Sequence, residues 1–402
     1  MYTRNKEFYD IVGKGLASMG YVSDREGSAL TKFMNDQFAE KYNADSYFGN
    51  LGFSINPNIP INPTYEQIEA TIRPYTMATY VDIDSDGATK STDGMSLKMG
   101  SLPTFKHEIV LSRKILREKM MLMEVLGGTN SDIEDTVMEL LFNGLDDLLG
   151  GNYNTIKHQR HQVISNEGKL VIDAKNNPLG IPVQVDFGVP SKNIITSQWY
   201  TKNSAVAQES TVGKTVIPLQ VMKNVKRDAE QKDYAPLGHW EVSKTTWDDL
   251  LQLPYFRQMY VMATRPDITS AENITAYGAL ITDEVLKKFI EAQVGAPIHV
   301  IDDISVVESF DKGTKKMKYT NIESFNEGVL VYVPNDLGDI QFGKPLYMET
   351  PGARVGLYDG GRTLIRQVFN DDTMTQVVKS EVTGLVVPNK TRWQYYLKIK
   401  KG

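Results

Sequence analysis

The chain has 402 residues, 41% of them hydrophobic, with 44 Lys+Arg against 50 Asp+Glu for a formal net charge of −6, and it contains no cysteine. At about 150 residues per domain this length allows two or three domains and at least one large core, and the acidic balance argues against a protein that coats DNA. Without cysteine there is no disulfide framework, no thiolate metal site and no cysteine nucleophile. The opening Met1-Tyr2-Thr3-Arg4-Asn5-Lys6-Glu7-Phe8 lacks the charged-then-apolar pattern of a secretory signal, and no run of about 18 uncharged apolar residues occurs, so the sequence reads as soluble and non-secreted.

Helical patterns cover Lys6–Ser18 and Ser28–Tyr42, and Asn50–Pro63 follows with three prolines and four asparagines. Such a segment cannot build a core and reads as an arm that packs on something else, another copy of the chain included. From Tyr75, the residues Tyr75, Met77, Thr79, Val81 and Ile83 alternate with Thr76, Ala78, Tyr80 and Asp82, which is strand periodicity. Asp84-Ser85-Asp86-Gly87 supplies a turn, Met95, Leu97 and Met99 restore the alternation, and Lys106–Leu111 continues it after Pro103. The expectation is one long β-hairpin, marginal in stability without a neighbour to lie on.

Ser131-Asp132-Ile133-Glu134 has capping-box spacing. Behind it Ile133, Val137, Leu140, Leu141, Leu145, Leu148 and Leu149 share a helical face, and the pattern resumes at Ile156, Val163 and Ile164. This predicts a helix of about thirty residues, far beyond the usual three to four turns, unless Gly150-Gly151 ends it. Gly168–Ile172 and Ile181–Gly188 read as strands. The stretch 200–245 is polar and has no assignment, and helices are expected at Trp247–Gln252 and Thr282–Val294. Strands follow at His299–Ile304, Gly328–Val333, Ala353–Tyr358 and Trp393–Ile399, with turns at Asp311-Lys312-Gly313 and Asp359-Gly360-Gly361. The class is α+β, with a helix-centred part and a strand-rich part.

Chemical motifs are sparse. Asp82-Ile83-Asp84-Ser85-Asp86-Gly87 with Asp93 at the twelfth position matches a calcium loop in part, but a strand leads into it and an acidic hairpin turn is the preferred reading. His158 and His161 are spaced i, i+3 on the long helix, with His107, His239 and His299 isolated in sequence, so a solvated helix face is expected rather than zinc. Gly13-Lys14-Gly15 lacks the strand and the Gly-Lys-Ser/Thr ending of a phosphate loop, and no Gly-x-Ser-x-Gly elbow occurs. The pairs Asp248-Asp249, Asp302-Asp303 and Asp371-Asp372 point in divergent directions within any regular element and read as turn or cap chemistry. No catalytic, cofactor-binding or metal residue is therefore assigned, no cofactor is expected, and the chain is read as a non-enzyme.

An arm, a reaching hairpin, a long helix and then strands resemble, in that order, the major capsid proteins of tailed bacteriophages, the Hong Kong 97 fold, and more narrowly the lambda head-protein E family. The narrower likeness rests on the helix running into Gly168-Lys169-Leu170-Val171-Ile172, then Val185-Asp186-Phe187-Gly188. It continues in Gly328-Val329-Leu330-Val331-Tyr332-Val333-Pro334-Asn335-Asp336-Leu337-Gly338 and in Gly384-Leu385-Val386-Val387-Pro388 through Ile399. It spans roughly residues 70 to 400, its motifs are individually short, and the long N-terminus, Gly150-Gly151 and residues 200–245 depart from the pattern. The resemblance implies an N-terminal arm over 1–70, an E-loop hairpin over 71–111, a peripheral domain with the spine helix over 112–195, an axial domain over 196–365, and shared C-terminal strands over 366–402. It also implies self-assembly into hexamers and pentamers that close an icosahedral shell around DNA held without sequence-specific binding. Scaffolding, portal and decoration proteins would be partners, no membrane would be involved, and the product would be a virion made in the bacterial host cytoplasm. Related shells can join an E-loop Lys to a neighbour's Asn; Lys90 and Lys98 lie in that segment, but no cross-link is expected here. Competing readings are a tail-tube or connector protein, a carbohydrate-active enzyme with Trp240 and Trp247 as a sugar platform, and a calcium-dependent module on Asp82–Asp93.

Overall fold

A computed structural model describes residues 52–71, 94–111, 121, 130–178, 180–200, 210–211, 214–215, 217–311, 316–345, 354–370 and 375–401. In chain order the elements are β1 (Phe53–Ile55), β2 (Thr64–Thr71), β3 (Gly94–Ser101), β4 (Thr104–Leu111), α1 (Asn130–Ser165), β5 (Lys169–Ile172), β6 (Val183–Asp186), β7 (Ile194–Tyr200), β8 (Ser210–Thr211), β9 (Lys214–Thr215), α2 (Pro218–Arg227), β10 (Gly238–Ser243), α3 (Lys244–Leu251), α4 (Pro254–Thr264), α5 (Ala271–Ala279) and α6 (Asp283–Val294). The strands β11 (Ile298–Ile301), β12 (Ile304–Asp311), β13 (Lys316–Glu323), β14 (Val329–Pro334), β15 (Gly338–Gly343), β16 (Arg354–Tyr358), β17 (Thr363–Asn370), β18 (Thr375–Pro388) and β19 (Tyr395–Lys401) complete an α+β chain. The predicted N-terminal helices, the Asp82–Asp93 turn, Gly13–Gly15, Lys90 and Asp371-Asp372 lie outside the described residues.

The long helix is present. α1 has 36 residues, about 54 Å at 1.5 Å per residue, and Gly150 and Gly151 stay inside it. A Cβ at Gly151 would stand 2.5 Å from Nδ1 of His107, so the small residue there admits the β4 histidine ring rather than breaking the helix.

Two compact units divide the chain, one drawn from Met1–Tyr65, Met99–Lys157 and Asp339–Val386, the other from Glu66–Lys98, His158–Gly338 and Val387–Gly402. The first holds a six-stranded sheet in the order β1-β15-β18-β17-β16, with β4 also paired to β18. Its core gathers Phe53, Leu102, Leu148, Leu149, Tyr153, Ile156, Phe342, Leu364 and Val382. Here the structure corrects the reading of Lys106–Leu111 as part of the hairpin. β4 runs antiparallel to β18, placing Lys106 opposite Glu381 and Glu108 opposite Lys379. The two crossed pairs close at 2.7 and 2.6 Å. Lys106-His107-Glu108 meeting Lys379-Ser380-Glu381 is a charge code for that register, each pair adding roughly 0.2–1 kcal/mol. The hairpin partner of β3 is β2, which begins at Thr64.

The second unit is built on a five-stranded sheet in the order β11-β10-β14-β19-β7. β10 runs parallel to β11 and β19 parallel to β7, while the other neighbours are antiparallel. One face carries Trp240, Val242, Leu330, Tyr332, Tyr395, Leu397 and Ile399 into a core with Leu219, Met222, Trp247, Leu250, Phe256, Leu286 and Ile290 from the helices. The unassigned stretch 200–245 holds α2, a single π turn over Asp228–Lys232 and β10. It reads as polar because β10 alternates Trp240 and Val242 with His239, Glu241 and Ser243, and all of these are buried.

Gly338, part of the Leu-Gly pair in the sequence motif, serves a close approach. A Cβ there would collide with the carbonyl oxygen of Val387 and stand 2.7 Å from the Asn389 nitrogen. Gly338→Ala is expected to cost about 1–3 kcal/mol through overpacking, measured as a lower urea midpoint with an unchanged m-value.

Candidate functional site

Every residue from 158 to 165 at the end of α1 is buried, including His158, Gln159, Arg160, His161, Gln162 and Ser165. A helix segment covered on all sides must satisfy its polar groups internally. The Arg160 guanidinium donates from Nη1 to Glu241 Oε2 at 2.6 Å and from Nη2 to Glu241 Oε1. The two side chains are 4% and 1% exposed. Burial pushes the Glu241 carboxyl up, but the Arg160 charge and the hydrogen bonds from His239 and Arg160 outweigh it and hold it far below the usual carboxylate range.

Four of the five histidines join this pair. His239, two residues before Glu241 on the same face of β10, donates from Nε2 to Glu241 Oε1 at 3.0 Å, and its Nδ1 lies 2.8 Å from Asn335 Oδ1. The His299 ring, on β11, faces that of His239 at 4.3 Å. His161 accepts from Arg160 Nη1 at Nδ1, 3.0 Å, and donates from Nε2 to Asp303 at 2.9 Å. His158 Nδ1 lies 3.1 Å from Ser305 Oγ, which is 2.6 Å from Ser324 Oγ. Burial, and then the neighbouring His161, lower His158 from 6.5 to about 4. Burial also lowers His161, against the raising effect of its Asp303 hydrogen bond.

This corrects the expectation of a solvated histidine face. Helical periodicity locates one buried stripe, whereas here β10 and the β12–β13 base cover the helix on its polar side as well. The tryptophans proposed as a sugar platform, Trp240 and Trp247, are both in the core. Asp248 binds Lys244 on the surface of α3, and Asp303 is the His161 partner while Asp302 stands apart from it. Among the described residues no three His, Asp or Glu side chains are placed to hold a metal. A small cavity lined by Leu149, Asn152, Tyr153, Ile156, Phe342, Thr363 and Val382 carries no ionisable acid or base suited to work at neutral pH.

Two ribbons leave large apolar side chains exposed. In the β2–β3 ribbon, Gln67 Nε2 and Lys98 Nζ both donate to the Phe187 carbonyl, at 3.2 and 2.9 Å. Alternation therefore turns Ile68, Leu97 and Met99 to the opposite side, where they are 46%, 58% and 58% exposed. In the eight-pair β12–β13 ribbon, Ser305 anchors one side to His158 and Ser324, while Ile304, Val306 and Tyr319 occupy the other and are all at least 60% exposed. A half-covered antiparallel sheet in water ordinarily turns its apolar face inward. The β2–β3 ribbon turns that rule around, whereas the β12–β13 ribbon keeps Val307 and Ile322 on its anchored face and exposes Ile304, Val306 and Tyr319 beside Glu308, Asn321 and Glu323.

No protein-family model matches the chain, and no curated protein matches it. Among solved structures, a putative capsid protein of an E. coli CFT073 prophage is similar at 13% identity and a TM-score of 0.45, over 76% of this chain and 80% of that one. The capsid of Ralstonia phage GP4 is similar at 9% identity and a TM-score of 0.41, over 86% and 87% of the two chains. The capsid of Myoviridae phage XM1 is similar at 10% identity and a TM-score of 0.41, over 89% and 92%. No helix among the described residues is long and apolar enough to cross a membrane.

Arg160→Met strands a buried carboxylate and is expected to cost about 3–5 kcal/mol. Adding Glu241→Leu should recover part of that loss, because the stranded charge is gone while His239 Nε2 and His161 Nδ1 are left without their partners. Urea unfolding of the two variants at pH 7 checks both steps.

Proposed function

We propose that this protein is a shell-forming major capsid protein of a tailed phage, assembling as hexamers and pentamers into an icosahedral head around DNA. The observation that carries this reading is the inverted polarity of the β2–β3 ribbon. Leu97 and Met99 are exposed on a two-stranded element whose other face is pinned by Lys98 and Gln67. A two-stranded ribbon is marginal alone, and apolar side chains held outward gain their burial when another copy covers them. The 36-residue α1 supports the reading as a strut, since most helices stop at three or four turns. Among the described residues, a two-stranded ribbon, then the long helix, then a strand-rich part supports the reading.

In this reading the arm precedes β2, the E-loop segment runs from β2 through β3 in place of the expected 71–111, and β4 belongs to the sheet it shares with β18. Residues 112–195 form the peripheral domain, 196–365 the axial domain, and 366–402 strands shared between them. Scaffolding, portal and decoration proteins are the expected partners, and synthesis takes place in the bacterial cytoplasm. Net charge −6 suits a wall that confines DNA without adhering to it. No E-loop cross-link is proposed: Lys98 Nζ is engaged with the Phe187 carbonyl.

Electron microscopy of the purified protein tests the proposal, with closed shells or capsomers expected and a discrete monomer overturning it. The double variant Leu97→Glu/Met99→Glu is expected to keep the circular dichroism spectrum and the urea midpoint within about 0.5 kcal/mol, because both side chains are exposed. Assembly should fail, since the same weak contact is lost at every repeat of the lattice.

A further inference from the structure

The Arg160–Glu241 pair with His161, His239 and His299 forms one connected cluster, and His158, one turn before His161 on α1 and bonded to Ser305, completes a tie from α1 to β10, β11 and the base of the β12–β13 ribbon. We propose that this cluster is an acid-sensitive fastening, closed while His158 and His161 are neutral and released when they take up protons. The inference is independent of the shell-forming reading.

Hydrogen-bond geometry fixes the neutral form. Arg160 Nη1 can only donate, so His161 Nδ1 must be the acceptor and its proton sits on Nε2, facing Asp303. A second proton on Nδ1 would set N–H against N–H and a cation against the guanidinium. His158 meets Ser305 at Nδ1, while its Nε2 is buried with no hydrogen-bond partner among the described residues. A proton there would be a desolvated donor with nothing to receive it.

The charged and titratable groups facing the two rings come from every packed element. α1 contributes Arg160 and the two histidines to each other, β10 contributes Glu241, and Asp303 precedes β12, while His239 meets Glu241 and His299 meets His239. Asp303 and Glu241 favour protonated His161, whereas burial and Arg160 oppose it, and the balance lies with the neutral form. Protonation of His158 is opposed by burial and then by His161.

The sign follows from linkage. The unfolded chain takes up the His158 proton near pH 6.5 and the folded chain only near about 4, so stability is full above that window and falls as pH drops through it. Release would free the last turns of α1 and the ribbon base first, since those are the groups the two rings hold.

Hydrogen exchange on the full chain, corrected for intrinsic pH dependence, tests this. Exchange in residues 156–165 and 304–324 is expected to accelerate at least tenfold between about pH 6.5 and 4.5, ahead of any loss of far-ultraviolet dichroism. His158→Gln should move that onset down by about one pH unit, and His158→Gln/His161→Gln further. His107→Gln, outside the cluster, should leave it in place. An onset unchanged in both cluster variants, or moved equally by His107→Gln, overturns the proposal. Should the variants fail to fold, histidine-labelled wild type decides by NMR: His158 and His161 are expected to stay neutral below pH 5, and either ring titrating near 6.5 with protection intact overturns it.

Discussion

A guanidinium and a carboxylate buried together hold the second unit in register. Arg160, at the end of the long helix, and Glu241, on the second strand of the five-stranded sheet, are each almost fully removed from water. Either one alone in that position would cost several kcal/mol, so each requires the other, and both fix the helix to one strand at one depth. The fork geometry of arginine matters, because two parallel donors set an angle as well as a distance. An apolar pair of similar volume could match the stability but would tolerate sliding by a turn.

The rest of the unit is arranged around that fixed point. Trp240 and Val242 point from β10 into the helical core while His239 and Glu241 point the opposite way, so one strand serves an apolar layer and a polar layer at once. The polar layer extends through His161 to Asp303 and through His158 to Ser305 and Ser324, which are the roots of the β12–β13 ribbon. Hydrogen bonds at its root set the orientation of the ribbon, so Ile304, Val306 and Tyr319 on the other face stay exposed and available for burial elsewhere.

In the other unit, complementary charges place a strand that periodicity alone puts elsewhere. The alternation of Lys106–Leu111 continues that of Met95–Met99, and on pattern the two belong together. Leu102 is buried and Pro103 interrupts the ladder, and beyond them the Lys-His-Glu run finds its mirror in Lys379-Ser380-Glu381. Cross-strand pairing is a property of two segments separated by about 270 residues in the chain, and it outweighs local continuity.

What the sequence determined by itself was the inventory of strong local signals. The long helix through Ile133 to Ile164, the helix ending at Val294 and the strands at Lys169–Ile172, Val329–Pro334 and Tyr395–Lys401 each announce themselves by a period carried in neighbouring residues. The absence of any disulfide or thiolate site was equally legible, because the chain contains no cysteine. Tertiary structure alone decided the histidine cluster. His158, His161, His239 and His299 span 142 positions, and nothing in their spacing announces that one helix end, two strands and a ribbon root converge on a single guanidinium. It also decided which face of each ribbon is held, since alternation divides a strand into two faces and only the partner, here the Phe187 carbonyl or the Ser324 hydroxyl, makes one of them the inside.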